Sequence, residues 1–296
     1  FAAVAVAAAA EDGDQPPRVQ LAQADQDVSF SVLCIVVCLC VRVSGVERVD
    51  KRCDGAAHAR QQQANRHDKL SSMGKMVSAL AHQIRTPLSA AILYANHLCA
   101  ESITEERRRL FAGKLLGRLN HMAEQVKDML LFVRNELPLN DVISLQDLEL
   151  GLRAAMEVPL ATSKSRCIWQ NAIPLAHLRC NREALIGALL NLVNNAIQAR
   201  PEGAKLKVSF CRTALKGEAA VAIAIADNGP GMSPEQLTAA QEVFYTTKPQ
   251  GTGLGLAVVK SVTLAHGGHF RLQSRQGVGT CGVLTVPLVE SYESAH

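Results

Sequence analysis

"AAVAIAIADNGPGM", residues 219–232, decides how this chain is read. A short run of small and branched apolar residues bounded by turn signals reads as a buried strand. It runs into Asp227 and then into a turn that holds Gly229 and Gly231. A carboxylate at a strand end can accept from an exocyclic amine, and the two glycines let backbone come close to a ligand. The same letters also read as ordinary punctuation, since Asn-Gly and Pro-Gly pairs are common in turns.

Working outward, "KLKVSF" (205–210) is a second strand, and "NREALIGALLNLVNNAIQA" (181–199) is a helix with Asn181 at its cap and Glu183 in its first turn. Asn191 and Asn195 stand four apart on one face of that apolar helix. Two readings stay open for them: hydrogen-bonded core amides, or oxygen ligands for a hard cation such as Mg²⁺, which usually accompanies phosphates. "SPEQ" (233–236) is a capping box with proline at the first helical position. In "FYTTKPQGTGLGLAVVKSV" (244–262), Gly251, Gly253 and Gly255 precede an apolar helix. A glycine run is weak by itself, but at a helix start its free amides and the helix dipole suit an anion. Lys248 adds a point charge. "GHFRLQSR" (268–275) and "GTCGVLTVPL" (279–288) close the chain as two strands joined through Gly277 and Gly279.

The earlier half is helical. "SALAHQIRTPLSAAILYANHL" (78–98) lies within a run whose apolar positions Leu70, Met73, Val77, Leu80, Ile84, Pro87, Ala91, Tyr94 and Leu98 alternate steps of three and four. That is a coiled-coil seam. Thr104 caps a second helix with Glu105 and Glu106 in its first turn, and Ala112, Leu115, Leu119, Met122, Val126, Met129 and Val133 repeat the spacing until Pro138 closes it. Two such helices predict an αα-hairpin, which buries its seam best against a copy of itself as a four-helix bundle. His82 falls on the side away from the seam, with Arg85 and Thr86 beside it and Pro87 loosening the backbone. A lone helical histidine also reads as a solvated side chain.

At 296 residues the chain has room for two domains, and with 48% hydrophobic and 20% charged residues it can bury a real core. Its net charge of +4 is spread along the chain, which predicts no nucleic-acid partner. The nine cysteines are scattered without a CxxC pair, the pattern of reduced cytoplasmic thiols. Residues 1–57 differ in texture: an alanine tract, no initial methionine, and an uncharged stretch over 28–41 that falls short of the ~20 residues of a spanning helix. They are expected to be a fragment or a segment in an unnatural frame, without a membrane span.

In this order the motifs resemble one family, the two-component sensor histidine kinases, over about residues 67–290. "AHQIRTPLSAA" is most similar to the soluble flagellar-regulatory sensor kinases of Gram-negative bacteria. The resemblance implies an α+β chain: a lead-in and dimeric phosphotransfer hairpin over 58–137, then over 138–296 an α/β sandwich that binds ATP on a mixed sheet covered on one face by helices. It makes His82 the phospho-accepting histidine, Asn191 and Asn195 the Asn-box positions with Asn195 foremost for Mg²⁺, and Asp227 the holder of adenine with Gly229 and Gly231 shaping the pocket. Gly251, Gly253 and Gly255 would wrap the phosphates. Phe244, Thr246, Thr247 and Lys248 border a short lid, and Thr280 lies near the base. A homodimer would pass phosphate from His82 to the receiver domain of a response regulator.

The family usually has an acid where this chain has Gln83. An amide can accept the ring N–H and fix its tautomer, but it brings no charge and takes no proton, which predicts a working but slowed autokinase. Thr86 keeps the position associated with orienting the dephosphorylating water. Two other readings compete: a non-catalytic or phosphatase-biased dimeric scaffold for a response regulator, and a serine-modifying kinase on the same ATP fold.

Overall fold

The computed structural model describes residues 84–99, 103–133, 137–248 and 251–289. A helix over 84–98, α1, is followed by α2 (Glu105–Val133), with Thr104 Oγ1 accepting the Arg107 N–H at the start of α2. The rings of Tyr94 and His97 stack on Phe111 at centroid distances of 6.1 and 4.9 Å, which pairs the two helices as an antiparallel hairpin. The expected seam is buried at Pro87 and Ala91 and half-buried at Ile84, Tyr94, Leu98, Leu115, Met122 and Met129. Leu119 and Val126 instead stay 46% and 43% exposed, so the described residues cover only part of the stripe. The lead-in positions up to Leu80 lie outside the described residues.

The second domain opens with β1 (Asp141–Ser144), α3 (Leu145–Thr162), β2 (Arg166–Asn171) and β3 (His177–Cys180), a region for which the motifs above assigned no elements. Ser144 caps α3 by accepting the Asp147 N–H, and Leu145, Leu148, Leu152 and Met156 form its buried stripe. Then come α4 (Arg182–Ala199), β4 (Lys205–Leu215), β5 (Glu218–Asp227), α5 (Pro234–Ala239), α6 (Gly255–Ala265), β6 (His269–Arg275) and β7 (Gly279–Pro287). Asn181 caps α4 and Ser233 with Gln236 forms the capping box of α5, as the letters predict. The strand expected over 205–210 continues to Leu215, because Lys216 and Gly217 both take positive φ and turn the chain straight back into β5.

Five strands form a mixed sheet in the order β2-β4-β5-β7-β6, with β2 and β4 parallel and the other pairs antiparallel, while β1 pairs with β3 separately. Helices α3, α4 and α6 pack on one face through a core that includes Leu148, Leu185, Leu189, Val208, Phe210, Ile223, Val258 and Leu284. The opposite face carries a smaller cluster of Ala222, Ala224, Ala226, Cys281 and Val283. Phe132 and Leu137, at the end of the hairpin, join the main core. Helix and strand ends therefore converge where α2, α4 and α6 meet. No helix among the described residues is long and apolar enough to cross a membrane.

Candidate functional site

At that convergence lies a cavity of about 580 Å³. Strand β5 delivers Asp227 to its wall, 7% exposed. Asp227 Oδ1 accepts the N–H groups of Gly229 and Thr280 at 2.8 and 3.3 Å, which leaves Oδ2 as the acceptor for a ligand. Burial pushes this carboxyl up to about 6, against the pull of those two amides. Thr280 shares its hydroxyl with Ser274 at 2.8 Å, and Ser274 Oγ accepts the Met232 N–H, so the strand ends and the glycine turn form one network. Gly231, at φ +66°, has no room for a Cβ because the Arg275 carbonyl occupies that place.

The opposite wall is α4. Its apolar face turns to the core, and Asn191 and Asn195 stand half-buried on the flank that lines the cavity. Asn195 Oδ1 accepts from Lys248 Nζ at 3.2 Å, and Gln198 Oε1, one turn on, accepts from the same ammonium at 2.6 Å. Burial pushes the Lys248 ammonium down from its ordinary value. Asn191 Nδ2 donates to Asp128 Oδ1 on α2 at 3.5 Å.

Between the two walls runs the loop that leads into α6. The Phe244 N–H donates to the Gly253 carbonyl at 3.1 Å and pins the loop's two ends together. Gly253 has φ +66°, and a Cβ there would meet the Phe244 backbone. Thr247, Lys248, Gly251, Gly253 and Gly255 all line the cavity, with Gly255 as the first residue of α6.

Eleven of the residues singled out from sequence thus share this wall: Asn191, Asn195, Asp227, Gly231, Thr246, Thr247, Lys248, Gly251, Gly253, Gly255 and Thr280. Gly229 stands behind Asp227 and holds its carboxylate rather than facing the cavity. Thr86 is exposed on α1, away from the wall, and His82 and Gln83 lie outside the described residues. Sequence reasoning missed Gln198, whose signal is its place three residues after Asn195. It also missed His121, Glu124, Gln125 and Asp128, which reach the wall from the hairpin. Nothing in the letters around these four marks them, because their neighbours in the site are distant in the chain.

Residues 180–290 match the family of histidine kinase-, DNA gyrase B- and HSP90-like ATPases, and residues 72–138 match the His kinase A phospho-acceptor domain. The chain belongs to the two-component sensor histidine kinases. It is 48% identical over 229 residues to the sensor protein kinase FleS of Pseudomonas aeruginosa, covering 77% of this chain and 56% of that protein. It is 29% identical over 231 residues to the sensor histidine kinase ZraS of Escherichia coli K12, covering 77% and 48%. The chain therefore spans about half the length of these curated relatives. Among solved structures, full-length ShkA in complex with AMPPNP shares the fold, with a TM-score of 0.56 and 24% identity over 74% of this chain and 47% of that one.

Proposed function

We propose that the chain is the transmitting part of a sensor histidine kinase: ATP binds in the cavity, His82 takes its γ-phosphoryl group, and a receiver-domain aspartate of a response regulator takes it from His82. The observation that carries this reading is the single wall that collects Asn191, Asn195, Asp227, Lys248, Thr280 and the loop glycines. Asp227 Oδ2 accepts from the adenine amine while Gly229 and Thr280 hold Oδ1 in place. The amides of the Gly251–Gly255 loop and the α6 N-terminus bind phosphate oxygens, and Lys248 adds its charge.

Mg²⁺ fits the donor set, since Asn195 Oδ1 already accepts from a cation, Lys248 Nζ, and Asn191 stands one turn away. When bound, it neutralises charge on the phosphates. The rest is positioning: an imidazole nitrogen of His82 forms a bond to the γ-phosphorus as the bond to the ADP oxygen breaks. Gln83 accepts the other ring N–H, and Thr86 serves the reverse, hydrolytic use of the regulator. A homodimer is supported by the apolar side chains left exposed along the hairpin, among them Ile92, Leu116, Leu119 and Leu130. Control of flagellar genes follows from the resemblance around His82, and the scattered cysteines favour a cytoplasmic location. The spread +4 charge argues against a nucleic-acid partner.

The test is phosphate incorporation from γ-labelled ATP with Mg²⁺ in the native chain and in His82→Gln. Acid-labile label that disappears with His82 is expected, and Gln83→Glu is expected to raise the initial rate. Nucleotide binding without label would move the protein to the scaffold reading, and acid-stable label would move it to the serine-kinase reading.

A further inference from the structure

The two asparagines of α4 are held from opposite sides. Asn195 is held through its oxygen by Lys248, from the loop of its own domain. Asn191 is held through its nitrogen by Asp128, from a helix of the other domain and 63 residues earlier in the chain. A carboxamide presents a donor on one side and an acceptor on the other, so whatever binds one side decides what the other offers. Asp128 takes the Nδ2–H and leaves Oδ1 as the free face of Asn191.

Three more observations show that this stretch of α2 is built against the cavity. Lys127 Nζ pairs with Glu183 Oε1 at 2.7 Å and ties α2 to the first turn of α4. Helix α2 packs along α6, whose first residue borders the same two asparagines. On the face that carries Asp128, Gln125 lines the cavity, and its Oε1 is buried without a hydrogen-bond partner among the described residues. An acceptor left in that state is costly unless something in the cavity meets it.

We propose that Asp128 is a positioning residue of the nucleotide site: by holding Asn191 Nδ2 it presents Oδ1 to the cation of bound Mg·ATP, so that metal-dependent nucleotide affinity depends on the hairpin being docked. This rests on the reading of the cavity as an ATP site. Partners of this outer kind orient ligands, and their loss typically costs about 10–100-fold in metal affinity. The competing role for the same contact is a plug, in which Asp128 withholds Asn191 from nucleotide.

The experiment is calorimetric titration of the full chain with AMPPNP, in Mg²⁺ and in EDTA, for the native protein, Asp128→Ala and Asp128→Asn. Asp128→Ala is expected to bind about 10-fold more weakly in Mg²⁺ and without change in EDTA. Asp128→Asn should restore most of the Mg²⁺-dependent gain, because its Oδ1 accepts the same N–H. Equal losses in both buffers would reduce Asp128 to a structural role and overturn the proposal, as would unchanged binding. Tighter binding by Asp128→Ala would establish the plug instead. A native chain that binds no AMPPNP in either buffer would overturn the ATP reading and this inference with it, whereas native binding with an unaffected Asp128→Ala would overturn the inference alone.

Discussion

The hairpin and the ATPase-like domain solve the same burial problem to different degrees. In the domain, Leu145, Leu148, Leu152, Met156, Leu185 and Leu189 are fully buried, because three helices and a sheet enclose them from all sides. In the hairpin, Ile92, Leu116, Leu119 and Leu130 remain 53%, 60%, 46% and 54% exposed. Among the described residues the two helices leave part of their apolar surface open, which association could cover, whereas the domain buries its own core. The difference places structural autonomy on one side of the molecule and association on the other.

The strongest way to break this comparison is a pair of substitutions. Leu189→Ala should lower the stability of the domain by about 2–5 kcal/mol, read as a fall in its thermal transition. Leu119→Glu should leave that transition where it is and shift the sedimenting mass from dimer to monomer. A dimer that survives Leu119→Glu, or a domain transition that falls with it, would erase the distinction.

Next in size is the price the domain sets on its own site. Asp227 has a folded pKa of about 6 against an ordinary value of 3.8, so the folded state holds the proton more tightly than the unfolded one. Its contribution is therefore fully present below pH 3.8 and is lost as pH rises to about 6, and at pH 7 a buried charge burdens the fold. Asp227→Asn keeps an acceptor for Gly229 and Thr280 without the charge. It should stabilise the protein at pH 7 by roughly 2–3 kcal/mol while weakening AMPPNP binding about 100-fold, since it offers the adenine amine a poorer acceptor. Loss of stability in chemical denaturation at pH 7 would refute this account.

The smallest expected effect runs in the other direction of pH. His266 is 4% exposed, accepts the Asn181 N–H at Nε2 and donates from Nδ1 to the Val262 carbonyl, so both nitrogens are used by the neutral ring. Burial lowers its pKa from 6.5. Stability from this neutral ring is fully present above pH 6.5 and is lost as pH falls through the lowered folded value. Comparing melting temperatures at pH 7.5 and 5.5, His266→Gln should lose less stability on acidification than the native chain. In an Asp227→Asn background the His266 slope should stand out, because the two groups act in opposite senses near pH 6.

Much of this architecture was legible. The 219–227 strand, the capped helix from Asn181, the Ser233 capping box and the glycine approach to α6 all use local signals, and each appears where those signals fall. Residues 139–180 were not legible as elements. There α3 carries Gly151 and Pro159, both poor helix formers, and β1 and β3 are only four residues each, stabilised by pairing with one another rather than by any alternation of their own. On the site, the residues singled out at 191, 195, 227, 248 and 280 all line the cavity, while Gly229 supports the Asp227 carboxylate from behind the wall.

By itself the sequence determined the two helical seams, the caps, the glycine turns and the family of the site, because each depends on residues within a few positions of one another. Tertiary structure decided which of the described seam positions are covered, that Lys248 rests on Asn195 and Gln198, and that Asp128 of the hairpin reaches Asn191. Those contacts depend on how finished elements pack in three dimensions, and no local periodicity carries that information.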